Sequence, residues 1–69
     1  MKLSARNLLK AKVKQVNHGV VNSEIILGLP DGQEIVSIIT KHSAENLQLA
    51  PGKDVYVMIK ASNVMIAVD

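Results

Sequence analysis

Apolar and polar residues alternate along much of this chain, and turn-forming residues interrupt the alternation at short intervals. In the stretch LLKAKVKQV, Lys10, Lys12 and Lys14 fall on one face of an extended strand. A period of two in segments rich in β-branched residues is typical of β-strands. The pattern predicts five strands, at residues 8–16, 20–29, 33–40, 55–60 and 63–68.

The second predicted strand has the clearest buried face. The side chains that share this face are Val21, Ser23, Ile25, Leu27 and Leu29. The triplet PDG at residues 30–32 then predicts a tight turn, because Pro suits its first central position and Gly accepts a positive φ angle.

The segment KHSAENLQL, at residues 41–49, breaks the alternation between the third and fourth strands. We predict a single helical turn at residues 43–47 with Ser43 as its N-cap, because a serine hydroxyl accepts a hydrogen bond from a free N–H of the first turn. Five short strands with one small helix between the third and fourth is the element order of a barrel of the oligonucleotide/oligosaccharide-binding (OB) type. We therefore predict an all-β fold, a small five-stranded OB-type barrel, with residues 1–69 forming one domain.

The last two predicted strands, VYVMIK and NVMIAV, carry apolar side chains on both faces, although a half-solvated strand would alternate. A chain of 69 residues is marginally stable alone and cannot cover both faces itself. It has no cysteine for a disulfide, and its two histidines are far apart, so a partner subunit is the remaining means of stabilisation. The sequence predicts a homo-oligomer in which edge strands of neighbouring copies pair.

Charge and composition narrow the class of ligand. The net charge of +2 suits an anion. Tyr56 is the only aromatic residue, whereas proteins that bind single-stranded nucleic acid stack bases on aromatic side chains. No apolar run has the length of a signal peptide or a membrane span, so we expect a soluble, cytoplasmic protein with no membrane partner.

Catalysis is not predicted. The carboxylates lie at turns or are scattered, and the sequence has no spacing typical of a metal site and no glycine-rich phosphate loop. General acid-base catalysis requires a carboxylate or imidazole held in a cleft with a tuned pKa, and no such arrangement is visible. We therefore expect no catalytic residue and no directly ligated metal ion.

Donors that can hold an anion cluster near the ends of the predicted strands. Arg6 has a planar fork that grips two oxygens, and Lys60 supplies a compact positive charge. The N–H groups at the start of the predicted helix also favour negative charge. The hydroxyls that supplement them are Ser4, Thr40, Ser43 and Ser62. This donor-rich set favours a fully deprotonated, doubly charged oxyanion, although each cation taken singly also suits a solvated surface.

The order of the motifs along the chain resembles that of the molbindin family. The motifs are SARN at 4–7, GVVNSEI at 19–25, IITKHSAENLQLAPG at 38–52 and VMIKASNVMIA at 57–67. Molbindins are single-domain proteins that bind molybdate and tungstate, and their module also occurs in molybdate-responsive regulators and in accessory domains of molybdate transporter ATPases. The resemblance covers nearly the whole chain and implies intracellular molybdenum storage or homeostasis.

The resemblance also implies where the oxyanion binds. The family's pocket, carried over by position, falls on Ser4, Ala5, Arg6, Thr40, Ser43, Lys60, Ala61 and Ser62. It implies pockets between subunits of a hexamer built as a trimer of dimers, with the metal bound as an oxyanion, molybdate or tungstate. Some members have a second oxyanion position in the loop after the first strand, and the resemblance places it here at His18, Gly19 and Val20. His18 also suits a purely structural role in the turn.

Two other functions stay open at this stage. Lys10, Lys12 and Lys14 support a nucleic-acid or oligosaccharide binder on the same barrel, although they also suit the solvated face of an outer strand, where charge opposes aggregation. A regulatory or transport module detached from a larger protein is disfavoured, since no segment precedes Met1.

Overall fold

The structure, a computed structural model, describes residue 2 and residues 4–69. The regular elements are β1 (Asn7–His18), β2 (Asn22–Gly28), β3 (Glu34–Thr40), α1 (Lys41–Asn46), β4 (Asp54–Ile59) and a 3₁₀ turn (Ala61–Asn63). The predicted all-β class with one short helix before the fourth strand is therefore confirmed. Among the described residues, no helix has the length and apolar character needed to cross a bilayer.

The four strands form one curled antiparallel sheet in the order β3-β2-β1-β4. The 12-residue β1 is shared between two ladders. Its first half pairs with β4, beginning with Asn7 opposite Ile59, and its second half pairs with β2, ending with His18 opposite Ser23. The register shifts between Val13 and Gln15, and such a bulge bends a strand and increases its twist.

The position of β1 corrects the interpretation of its lysines. We predicted an outer strand whose lysines oppose aggregation, but β1 is a central strand with a neighbour on each side. Lys12 Nζ lies 3.7 Å from Asp54 Oδ1 of β4, and Lys14 Nζ lies 2.6 Å from Glu34 Oε2 of β3. The alternation predicted which face is solvated, but it does not distinguish a central strand from an edge strand.

The core lies on the face of the sheet that α1 covers. Its buried apolar residues are Ala11, Val13, Ile25, Leu27, Ala44 and Val57. The predicted inner face of β2 is confirmed at Ser23, Ile25 and Leu27, which are all buried, whereas Val21 precedes β2 and is exposed.

The N-cap of the helix lies three residues before its predicted position. Thr40, the last residue of β3, is the N-cap of α1, and its Oγ1 accepts a hydrogen bond of 3.0 Å from the Ser43 backbone N–H. The prediction of Ser43 as N-cap was therefore wrong. In the motif TKHS, Thr40 and Ser43 both have a hydroxyl suited to capping. Because β3 passes directly into α1, Thr40 is the residue at the N-cap position.

The predicted fifth strand is not confirmed within the chain. Residues 64–69 form no strand, and Met65, Ile66 and Val68 are each at least 90% exposed. Among the described residues, β3 and β4 each pair with one strand only, so the sheet keeps two open edges. A strand needs a neighbouring strand for its backbone hydrogen bonds, and among the described residues this segment pairs with none.

Candidate functional site

A cleft opens where the β1–β4 ladder ends. Beyond the pair Asn7 and Ile59, the two chain segments that flank the ladder line an open cavity of about 450 Å³. The lining residues are Ser4, Ala5, Arg6, Lys60, Ala61 and Ser62. The fold thus brings together six of the eight residues that the resemblance implied for the oxyanion pocket, although they lie more than fifty positions apart in sequence.

Local hydrogen bonds shape the Lys60 side of this cleft. Asn63 N–H donates to the Lys60 carbonyl at 2.8 Å, and Val64 N–H donates to the Ala61 carbonyl at 3.2 Å. These bonds close the 3₁₀ turn that carries Ala61 and Ser62. The Lys60 segment is therefore a defined turn that follows directly from β4.

The charges of the cleft are of one sign. Arg6 and Lys60 both line it, and none of its six lining residues is acidic. Within residue 2 and residues 4–69, neither cation takes part in a salt bridge. Two cations without an acidic partner, supplemented by the hydroxyls of Ser4 and Ser62, form a site suited to a small dianion.

Thr40 and Ser43, the other two predicted pocket residues, do not line this cleft. Thr40 pairs with Asn22 at the start of β2, beside the end of β1 at His18, whereas the cleft lies at the beginning of β1. β1 has 12 residues, which at about 3.3 Å per residue is roughly 35 Å along the strand. One chain alone therefore separates the eight predicted residues into two groups at opposite ends of β1.

The hydroxyls at the start of α1 form a short chain. Thr40 Oγ1 accepts the Ser43 N–H and donates to Ser43 Oγ at 2.8 Å, so the Ser43 hydroxyl proton is not used in this pair. The Lys41 N–H donates to the Val21 carbonyl at 2.8 Å. The backbone N–H groups of Lys41 and Ser43, which we expected to be free for an anion, are therefore hydrogen-bonded within the chain. An anion at the helix start would be held mainly by side chains.

The loop predicted as a second oxyanion position is mainly engaged in its own turn. His18 Nδ1 lies 2.7 Å from Ser23 Oγ, and Ser23 is 1% exposed. Gly19 N–H donates to the Asn22 carbonyl at 2.7 Å, and a Cβ at Gly19 would lie 2.8 Å from that oxygen. These contacts give His18 and Gly19 a structural role, while Val20 is exposed. A second oxyanion position here stays a prediction.

The structure gives little support to nucleic-acid binding. Two of the three lysines in the β1 row have carboxylate partners, and among the described residues only Lys10 of that row forms no salt bridge. Affinity for a phosphate backbone depends on lysines and arginines that neutralise phosphates. Among the described residues, no group of three His, Cys, Asp or Glu side chains is placed to hold a metal ion.

Asn7 is the polar residue of the SARN motif that sequence reasoning left without a role. Its Nδ2 donates a hydrogen bond of 3.1 Å to the Ile59 carbonyl, from a partly buried position at the mouth of the cleft. The only sequence signal was its place directly before the first apolar run. The cross-strand partner, 52 positions away, is not visible in the sequence.

Comparisons with known proteins find relatives over nearly the whole chain. MopA of Rhodobacter capsulatus, a molybdenum-pterin-binding protein, is 46% identical over 97% of this chain, which spans 25% of the length of MopA. The structure of a molybdate-binding protein from Sporomusa ovata superposes with a TM-score of 0.93 at 37% identity, covering 99% of this chain and 100% of that one. The cytoplasmic molybdate-binding protein ModG, in a form with molybdate bound, gives a TM-score of 0.90 at 46% identity, covering 94% of this chain and 46% of that one.

The family model of the TOBE domain matches residues 3–66, which is nearly the whole chain. The resemblance to molbindins that the motifs indicated is therefore confirmed, both by sequence relatives and by solved structures. From its sequence, its four-stranded sheet with one short helix and its relatives, this chain belongs to the TOBE domain family.

Proposed function

We propose that this protein binds molybdate as the intact oxyanion and stores it in the cytoplasm without catalysis. Tungstate has the same charge, so the same site would bind it too. The observation that carries the proposal is the cleft lined by Arg6 and Lys60, two cations that form no salt bridge among the described residues. Relatives over nearly the full chain that are named for binding molybdenum compounds support the same ligand.

The donors divide the work by their chemistry. The Arg6 guanidinium grips two oxygens of the tetrahedral ion, and the Lys60 ammonium neutralises its second charge. Ser4 and Ser62 donate hydroxyls, while the small Ala5 and Ala61 let the ion approach the backbone. A hydrogen bond to a charged group contributes about 1.5–3 kcal/mol net, so several together reach the roughly −8 kcal/mol of a micromolar complex. No protein atom needs to ligate the metal itself.

A neighbouring copy completes the site in this proposal. Thr40 and Ser43 lie at the far end of β1 from the cleft, so they reach a bound ion only from a second chain. The proposed assembly is a homo-oligomer, a hexamer built as a trimer of dimers, with the oxyanion between subunits. The free Ser43 hydroxyl, oriented by Thr40, then becomes the donor that the neighbour contributes.

The open edges of the sheet support this assembly. An apolar groove of about 270 Å³ lies between β3 and β4. Its lining comes from β2, β3, β4 and the segment after α1, and includes Ile25, Leu27, Ile39, Leu49 and Val57. Residues 64–68 are all apolar, follow the 3₁₀ turn and are exposed. We propose that this segment of a neighbouring copy fills the groove and supplies the fifth strand of the OB-type barrel.

Isothermal titration with four oxyanions tests the ligand. We expect saturable binding of molybdate and tungstate, and much weaker binding of sulfate, which is smaller, and of phosphate, which carries a proton at neutral pH. Absence of binding heat with molybdate would contradict the proposal. Binding of a single-stranded oligonucleotide with a steep dependence on salt would instead support the nucleic-acid function.

A further inference from the structure

We propose that Asn7 is a positioning residue of the oxyanion cleft, which holds the Arg6 segment against the Lys60 segment without itself touching the ion. This inference rests on the proposed function, because the cleft is the proposed binding site. It assigns a role to the one polar residue of the SARN motif that does not line the cleft.

The position of Asn7 in the ladder carries the first step. Asn7 and Ile59 are directly opposite each other and form the last pair of the β1–β4 ladder. The Asn7 side chain adds a hydrogen bond of 3.1 Å from its Nδ2 to the Ile59 carbonyl. The residues immediately before Asn7 and immediately after Ile59 are the two walls of the cleft. The amide therefore ties the two strands together at the point where the walls separate.

The two walls differ in how they are held, which is the second step. The Lys60 wall is closed by its own 3₁₀ turn. Among the described residues, no turn or loop backbone hydrogen bond involves Ser4, Ala5 or Arg6. The distance between Arg6 and Lys60 therefore depends on the adjacent pair, Asn7 and Ile59, which ends the ladder. A guanidinium that must reach the same ion as Lys60 loses affinity if this pair opens.

The choice of residue type is the third step. An asparagine amide donates a hydrogen bond from a short side chain and carries no charge. Aspartate at this position has no N–H to donate and would place a negative charge beside the cleft. Leucine has nearly the same shape but offers no donor. Asn7→Leu therefore removes the cross-strand bond with little change in volume or charge.

The chain offers a matched control for this substitution. Asn17 lies on the same strand, and its Nδ2 also makes a hydrogen bond across to the neighbouring strand, to Glu24 Oε1 at 3.0 Å. It lies at the opposite end of β1 from the cleft and is exposed. Asn17→Leu thus removes a comparable bond from β1 but leaves the cleft unchanged.

The test combines titration of sodium molybdate with hydrogen exchange of the ligand-free protein, using the assembled oligomer in each case. We expect Asn7→Leu to weaken molybdate binding about tenfold and to speed amide exchange in the Lys60 turn, while Asn17→Leu changes neither by more than about twofold. A purely structural role would lower the melting temperature of both variants and leave the molybdate affinity unchanged.

If Asn7→Leu does not assemble, Asn7→Ser replaces it, because serine is polar but too short to reach the Ile59 carbonyl, and the same tenfold loss is expected. Wild-type affinity in a folded Asn7 variant would overturn the positioning role and leave the proposed function standing. A wild-type protein that binds no molybdate would overturn the proposed function, and the positioning role with it.

Discussion

At the scale of single residues, partners decide what each cation does. Lys12 pairs with Asp54 of the adjacent β4, and Lys14 reaches across β2 to Glu34 of β3, so each has a carboxylate partner. Arg6 and Lys60 line a cleft without acidic residues. Two of these four cations thus form salt bridges on the surface of the sheet, and the other two are available to bind an anion.

Arg6→Ala tests this division. We expect molybdate affinity to fall at least about a hundredfold, because two charge-assisted hydrogen bonds are lost and each contributes roughly 1.5–3 kcal/mol. The melting temperature of the ligand-free protein should change little, since Arg6 is exposed and outside the strands. Isothermal titration and thermal melting provide the two measurements.

Lys10→Ala is the control for Arg6→Ala, because Lys10 is an exposed cation of β1 that does not line the cleft. Its removal lowers the net charge equally and should leave molybdate affinity nearly unchanged. Equal losses in the two variants would indicate a general effect of charge rather than binding in the cleft.

At the scale of elements, α1 depends on one residue of β3. The helix is six residues long, and short helices are stabilised mainly by caps and packing. Thr40 caps its first turn, and Ala44 is buried against the sheet. The Lys53 ammonium donates to the Leu47 carbonyl at 2.6 Å, just after the helix ends. A side chain from outside the helix therefore assists each end.

Thr40→Ala should lower the free energy of unfolding of the ligand-free protein by about 1 kcal/mol, the usual effect of losing an N-cap. Thr40→Ser should be close to wild type, because serine caps at least as well as threonine. Urea denaturation followed by circular dichroism measures both variants. Equal stability of the alanine and serine variants would contradict the role of Thr40 as the cap.

The sequence predicted most elements but not their arrangement. The alternation located four strands to within about two residues, because one face of each is buried and the period reports that face directly. It did not show that β1 is central, since strand order depends on contacts between distant segments. The family resemblance, and not the alternation, placed Thr40 and Arg6 in one pocket between subunits; within one chain the fold puts them at opposite ends of β1, and their meeting across an interface stays a prediction.

At the scale of the whole molecule, the chain has two unfinished surfaces that match each other. The groove between β3 and β4 is apolar and open, and the segment at residues 64–68 is apolar and exposed. Exposed apolar surface of this kind on a small domain usually marks an interface. We therefore propose that a neighbouring copy both brings the separated donor groups together and fills the open groove.

Ile66→Asp tests whether a neighbouring copy fills the groove. Ile66 is 91% exposed in the single chain, so an aspartate there costs little in an isolated subunit, whereas in a filled groove it would bury a charge. We expect the variant to run as a smaller species in analytical ultracentrifugation. Saturating molybdate should raise the melting temperature of the wild type and have little effect on the variant, because a ligand stabilises only the state that binds it.

Val36→Asp serves as the control, since Val36 is also an exposed apolar residue but lies on the outer face of β3, outside the groove. It should assemble as the wild type does. A wild-type oligomer formed equally well by Ile66→Asp would contradict the proposed occupant of the groove.

The placement of the donor groups at opposite ends of β1 has a consequence for dosage. If an ion is held only where two chains meet, then the number of working sites grows faster than the number of chains while subunits are scarce. Dilution below the self-association constant releases the cargo even when free oxyanion is plentiful. Synthesis of more polypeptide would then set both the capacity of the store and how tightly it retains the ion.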